Sequence, residues 1–265
     1  MASSSKPTLE HWFVFKNDQL LILKNEDEHK LLQSALIRCY PLGQFQEKNI
    51  YCAEVADDFV VDDTMQLLPF RQALTELSPE WYGLAAKAYS IILWDKNHRY
   101  CGRCGGQTVK LEDKFERICV DCTLTFYPRI SPCIIVLIQN NEQLLLARGH
   151  HFKPGVYGLI AGFVEPGETL EEAVHREVKE EVGIHIKNLA YFGSQAWPFP
   201  DSLMVSFTAE YAHGELTINP EEIETAGWYA YDNLPGLPSA RISIGRKLID
   251  HFIAEKKATL SSRSI

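Results

Sequence analysis

The sequence predicts an α+β protein built from more than one domain. Three observations point there. The chain has 265 residues, more than one average domain. Its first 95 residues place strand patterns ahead of helical ones. Two C-x2-C pairs then fall between positions 101 and 122, and beyond residue 128 strand patterns are twice interrupted by helical ones.

In the first module, His11–Phe15 and Gln19–Leu23 read as a hairpin turned at Lys16, Asn17 and Asp18. Ala35–Tyr40 and Asn49–Val55 are further strands. Arg71–Leu77 is a short helix, and a longer one runs to about Trp94, with Ser78 as N-cap and Pro79 at its first position. No chemical motif appears here. Arg71 reads as a surface arginine, with a substrate phosphate contact as the alternative. Residues 1–95 are expected to serve dimerisation or to shape a site.

Residues 96–127 carry Cys101, Cys104, Cys119 and Cys122, as C-x2-C, fourteen residues, C-x2-C. Gly102, Gly105 and Gly106 allow the tight turn that brings two thiolates to one ion. Four thiolates favour tetrahedral Zn²⁺, and a closed site leaves no open position for catalysis, so one structural zinc is expected. So short a segment has too little core to fold alone. A redox dithiol pair or unligated core cysteines are the alternatives. Lys96, His98, Arg99, Arg103, Lys110 and Lys114 form a basic scatter that Glu112, Asp113 and Glu116 offset.

From residue 128 to 257, Cys133–Ile138 and Gln143–Ala147 read as strands turned at Asn140 and Asn141. Val156–Ile160 leads into the helix that follows, Leu189–Trp197, Leu203–Ala212 and Thr225–Tyr231 are later strands, and Arg241–Lys256 is a closing helix. Residues 258–265 are expected to be a flexible tail. No internal repeat beyond the paired C-x2-C is evident.

Composition narrows the function classes. The net charge of −9 disfavours broad adhesion to nucleic acid or anionic membrane, though it permits a local basic patch. No apolar run approaches the roughly 18 residues of a membrane span. The N-terminal stretch lacks an apolar core segment, so no secretory signal is expected. Seven cysteines, four of them in C-x2-C pairs, favour metal in a reducing compartment over a disulfide framework, which implies a cytoplasmic protein. Cys39, Cys52 and Cys133 lie in apolar surroundings and read as packed thiols.

The chemistry concentrates in Gly162–Ile184. A turn at Glu165, Pro166 and Gly167 precedes a helix with Thr169 as N-cap and Glu172 as its capping-box partner. Leu170, Ala173, Val174, Val178 and Val182 make its apolar stripe, and Gly183 suits its stop. Glu177 and Glu181 share one face a turn apart, with Glu180 beside them and Arg176 in reach of Glu180. Carboxylates so placed repel one another unless a cation intervenes. Hard oxygen ligands suit Mg²⁺ or Mn²⁺, which bind phosphate oxygens in turn. A solvated acidic helix face is the alternative.

Gly162, Glu168, Arg176, Glu177, Glu180, Glu181 and Gly183, with apolar Val178 and Ile184, fit G-x5-E-x7-R-E-U-x-E-E-x-G-U. This resembles the Nudix box, the signature of hydrolases that cut a nucleoside diphosphate linked to another moiety. A zinc ribbon ahead of the box and Ser194–Ser202 (SQAWPFPDS) after it look like the NADH pyrophosphatase branch of that family, over about residues 96–256. The resemblance implies a mixed-sheet α/β/α sandwich. It also implies hydrolysis of NAD(H) to nicotinamide mononucleotide and AMP, removal of NAD caps from RNA, and a homodimer.

Carried across position by position, the resemblance makes Glu177, Glu180 and Glu181 metal ligands, with Glu181 most tied to catalysis. The Ala161 carbonyl and Glu222 join the metal set of two or three ions. Tyr127, the stiff loop Gln195, Ala196, Trp197, Pro198, Phe199, Pro200, Asp201 and Ser202, and Gly245 are implied substrate contacts. Ala196 stands where the branch usually has Pro, and Gly245 where it usually has Ala, which bears on fine substrate preference. Glu180 or Glu181 is the expected base. The alternatives are an ADP-ribose or other nucleoside-diphosphate pyrophosphatase and, from another class, a non-catalytic dinucleotide sensor.

Overall fold

A computed structural model describes residues 9–23, 33–111, 114–239 and 242–263. Glu112, Asp113, Arg241 and the N-terminal stretch, to which the sequence assigned roles, lie outside the described residues. The chain divides into two compact units. One comprises residues 1–129 together with Pro198–Asp201, and the other residues 130–197 and 202–265.

The first unit holds a mixed five-stranded sheet made of β1 (Leu9–Lys16), β2 (Gln19–Leu23), β3 (Leu36–Phe45), β4 (Lys48–Val55) and β5 (Met65–Pro69), in the order β3-β4-β1-β2-β5. The expected hairpin is present, and Asn17 takes a left-handed φ of 55° at its turn. β5 escaped the sequence reading. It is short, ends on a proline and pairs only with β2, as suits an edge strand. Helices α1 (Phe70–Glu76) and α2 (Pro79–Asn97) follow. Pro79 opens α2 as expected, but Ser78 makes no side-chain capping bond. Phe15 packs edge-on against Phe70 and Tyr89, joining sheet to helices. A three-stranded ribbon completes this unit: β6 (Thr108–Lys110), β7 (Arg117–Cys119) and β8 (Thr125–Phe126).

The second unit is an α/β/α sandwich. Its strands are β9 (Ser131–Asn140), β10 (Gln143–Gly149), β11 (Ile160–Phe163), β12 (His185–Trp197), β13 (Ser202–His213) and β14 (Ile223–Ala230). The order is β12-β13-β9-β10-β14, with β11 also paired to β9. β13 runs parallel to β9 and the other pairs are antiparallel. Alternation along the central strands sends side chains to both faces. Ile134, Val136, Ile138 and Leu145 pack beneath α3 (Leu170–Val182), while Leu137, Leu144 and Leu146 meet Leu248, Ile249 and Phe252 of α4 (Ile244–Arg263).

One strand was not anticipated and one expectation needs correction. The stretch leading into the box helix makes isolated bridges at Val156 and Gly158 and then forms β11 at Ile160–Phe163, where β9 offers its edge. The closing helix, expected to stop at 256 before a flexible tail, continues to Arg263. No glycine or proline interrupts residues 246–263, so nothing local stops it.

Candidate active site

The box helix α3 forms as its sequence dictates. The Thr169 side chain accepts from the Glu172 N–H, and the Glu172 carboxylate accepts from the Thr169 N–H at 2.8 Å. Gly183 ends the helix in the left-handed region at φ 74°. Ala173, Val174, Val178 and Val182 are fully buried, which fixes the rotation of α3 and turns Glu177 and Glu181 toward β11.

Arg176 organises the acidic face. Its guanidinium grips Glu168 through both carboxylate oxygens, donates to Glu177 at 2.9 Å and to Glu180 at 3.0 Å, and donates to the Phe163 carbonyl on β11. One planar fork therefore ties loop, helix and strand together. The expected Arg176–Glu180 pair is present.

Glu177, Glu181 and Glu222 each place a carboxylate oxygen within 4.8 Å of the others. Glu177 and Glu181 are 8% and 7% exposed, a degree of burial rare for carboxylates. Burial, together with the Glu177, Glu222 and Glu180 carboxylates, pushes Glu181 up to about 8. Burial raises Glu177 as well, against the pull of Arg176. A Cβ on Gly162 would fall 2.0 Å from the Glu177 carboxylate, so only glycine leaves room for that carboxylate against β11. Crowded carboxylate oxygens, two of the three buried, fit a hard divalent cation. Glu180 stands outside this trio, 54% exposed and held by Arg176.

A cavity of about 410 Å³ opens beside the trio, lined by Ala161, Glu181, Glu222, Gly149, His150, His151 and Phe152 among others. The sequence reading missed His150 and His151. Their signal was a polar-aromatic run, Gly149 to Phe152, directly after a strand. The His150 Nε2 lies 2.9 Å from the Pro220 carbonyl, which links this loop to the segment bearing Glu222.

The expected substrate residues are placed variously. The Gln195 side chain donates to the Ile242 carbonyl and accepts from the Ile244 N–H, so it clamps β12 to the start of α4. Gly245 lies in the first turn of α4, where a Cβ would come 2.8 Å from the Ile135 methyl. Trp197 and Ser202 pair across the end of the β12–β13 hairpin, and Pro198–Asp201 form its turn. Tyr127 is 62% exposed, in the first unit.

In the ribbon, the four sulfurs lie within 4.8 Å of one another, with Cys101–Cys122 at 3.6 Å and Cys104–Cys119 at 3.5 Å. Zn–S bonds of about 2.3 Å in a tetrahedron require sulfurs roughly 3.8 Å apart, so the set fits zinc. Gly105 takes φ 77° in the first knuckle, and a Cβ on Gly106 would collide with Asp121.

A sandwich with a box helix, a carboxylate trio of which two members are buried, and a glycine-backed strand defines a metal-dependent hydrolase of the Nudix class. Comparison with known proteins makes the assignment specific. Residues 128–252 match the NUDIX domain model, 96–127 the NADH pyrophosphatase zinc ribbon domain and 9–94 the NADH pyrophosphatase-like rudimentary NUDIX domain. The NAD-capped RNA hydrolase NudC of Chromobacterium violaceum is 43% identical over 91% of each chain. That of Stutzerimonas stutzeri is 42% identical over 91% of this chain and 87% of its own. A Nudix hydrolase crystal structure from Nitrosomonas europaea superposes with a TM-score of 0.51 at 18% identity, over 60% of this chain and 93% of its own, and shares the fold. The chain belongs to the Nudix hydrolases, enzymes acting on pyrophosphate bonds, in the group that carries this zinc ribbon.

Proposed function

We propose that the protein hydrolyses the diphosphate bond of NAD(H), yielding nicotinamide mononucleotide (reduced when NADH is cut) and AMP. The observation that carries this reading is the trio Glu177, Glu181 and Glu222, in a chain whose relatives named NAD-capped RNA hydrolase match it over 91% of its length. Glu177, Glu181, Glu222 and the Ala161 carbonyl would hold two or three Mg²⁺ or Mn²⁺ ions. Such ions supply Lewis-acid charge neutralisation on the diphosphate and make water easier to deprotonate.

The side chains divide the remaining work. Arg176 fixes the Glu177 and Glu180 carboxylates, so neither reorients as charge builds on the substrate. Glu181 is the stronger candidate for the base that takes the proton from the attacking water. It is buried at the cavity wall, while Glu180 is turned to Arg176 and solvent. Tyr127, Gly245 and the loop Gln195–Ser202 are assigned to the dinucleotide, with Gln195 setting the loop's base.

Purified protein with Mg²⁺ or Mn²⁺ should convert NADH to the two mononucleotides faster than it cuts ADP-ribose or diadenosine diphosphates. NADH left intact under those conditions would sink the reading. A second substrate, RNA capped with NAD, is favoured by the names of the relatives, and the bond cut is the same. The ratio of kcat/KM on capped RNA and on free NADH decides between them. We also assign a homodimeric state and a cytoplasmic location; sedimentation at micromolar concentration tests the first. No helix among the described residues is long and apolar enough to cross a membrane.

A further inference from the structure

We infer that the N-terminal unit positions the tip of the substrate loop, and that Arg71 is a positioning residue for dinucleotide specificity. The inference rests on the reading that loop 195–202 meets the dinucleotide. Its structural basis is independent of that reading. Trp197 closes β12 and Ser202 opens β13, both in the catalytic unit, yet the four residues between them belong to the N-terminal unit.

The contacts explain this membership. The Phe199 ring lies 5.9 Å from Phe70 and 6.0 Å from Tyr89, tilted to both. Phe70 and Tyr89 are themselves stacked at 4.4 Å and 17°. That pair is locked to the β1–β2 turn, since the Tyr89 hydroxyl donates to the Asp18 carboxylate at 3.0 Å and the Phe70 N–H donates to the Asp18 carbonyl at 3.1 Å. The Arg71 guanidinium carbon sits 4.5 Å from the Phe199 ring centroid, within the range of a cation–π contact. Asp201, at the other end of the tip, faces Arg129 at 3.8 Å.

Phe199 is thus seated on an aromatic platform built from α1, α2 and a β-turn, with a guanidinium against its ring. A ring so engaged anchors the loop rather than stacking on a substrate base. The anchor fixes the hairpin turn, and with it the neighbouring Trp197 at the end of β12. Arg71 is exposed, so its removal leaves the core of α1 (Phe70, Ala73 and Leu74) untouched.

The experiment uses full-length, zinc- and Mg²⁺-loaded protein carrying Arg71→Ala or Arg71→Lys. Hydrogen exchange of the amides between Trp197 and Leu203 should rise about tenfold in Arg71→Ala, with the interiors of β12 and β13 unchanged. KM for NADH should rise about fivefold with kcat within about twofold, while KM for ADP-ribose, which has the diphosphate but no nicotinamide, stays within about twofold. Arg71→Lys should recover part of both effects. Unchanged exchange in Arg71→Ala overturns the anchor. A rise in exchange with unchanged KM for NADH overturns the link to specificity. Equal losses on NADH and ADP-ribose overturn it too, because Arg71 would then meet the diphosphate itself. If the unaltered enzyme leaves NADH intact, the proposed function fails instead, and the exchange measurement still decides whether Arg71 holds the loop.

Discussion

Glu181 shows how a residue can serve function against stability. Its carboxyl is pushed from an ordinary 4.5 to about 8 by burial and by three neighbouring carboxylates. The folded metal-free protein therefore holds this proton more tightly than the unfolded chain does. The stability this gives is fully present below about 4.5 and is lost as pH rises through about 8. Glu181→Gln cannot ionise and should remove that slope. With divalent cations chelated, its Tm should exceed the wild-type value by an amount that grows from about pH 5 to pH 8, by several degrees at the upper end. With Mg²⁺ present, kcat should fall about 10²- to 10⁴-fold while the fold survives. A variant with near-native turnover would remove Glu181 from the role of base. Gly162 makes the complementary case. Gly162→Ala must drive the Glu177 carboxylate from its place, since the new Cβ would lie 2.0 Å from it. The Kd for Mn²⁺ should weaken by about tenfold or more with little change in Tm, which calorimetric titration would detect. Glu181 was legible from spacing along one helix, and Gly162 from the fixed offset of the motif ahead of that helix. Glu222 came only through the family pattern, and His150 and His151 not at all, because their position beside the trio depends on contacts distant in sequence.

Among the elements, those read best from sequence carry their signals within a few residues. The capping box of α3 and the two knuckles of the ribbon are of this kind. β5 and β11 are chosen instead by the strand edge they meet, and no local pattern records that. How the ribbon is held within its unit is likewise non-local. Asp95, on α2, is 4% exposed and bonded to Arg38 of β3, to the Tyr40 hydroxyl and to Arg117 of β7. Arg38 also pairs with the buried Glu54, and Arg117 donates to the Thr108 hydroxyl and carbonyl. Buried ion pairs of this sort add little net stability when intact but cost heavily when one partner goes. Asp95→Ala takes the shared carboxylate from two largely buried arginines, leaving Arg38 with Glu54 and Arg117 with the neutral Thr108 acceptors, so a loss of about 3 kcal/mol or more is expected. Thermal unfolding of the zinc-loaded protein should register this as a Tm drop of roughly 10 °C or more. A drop under about 2 °C would show that the arginines find other partners or water.

At the scale of the molecule, the two units repeat one plan that the sequence hides. β3-β4-β1-β2-β5 and β12-β13-β9-β10-β14 match strand for strand, each with one parallel pair (β4 with β1, β13 with β9) and antiparallel neighbours elsewhere. The difference lies in the connection. Thirty-five residues, 150–184, join β10 to β12 and supply β11 and the box helix, whereas only twelve, 24–35, join β2 to β3. Twelve residues cannot hold a strand, a turn and a thirteen-residue helix. The first sheet therefore keeps the fold and has no place for the carboxylates, in agreement with its match to a rudimentary NUDIX domain. Strand pairing conserves geometry and not letters, so no internal repeat is visible in the chain itself. Each sheet has its own apolar clusters, and each unit its own metal donors: thiolates in one, carboxylates in the other. Metals should then act on separate transitions, because a ligand stabilises only the unit whose folded form binds it, by about 2.7 kcal/mol at a hundredfold excess over Kd. In calorimetric scans, zinc chelation should lower the transition of the N-terminal unit, and Mn²⁺ should raise the other. A single transition that both metals move by the same amount would mean that the two halves unfold as one cooperative body.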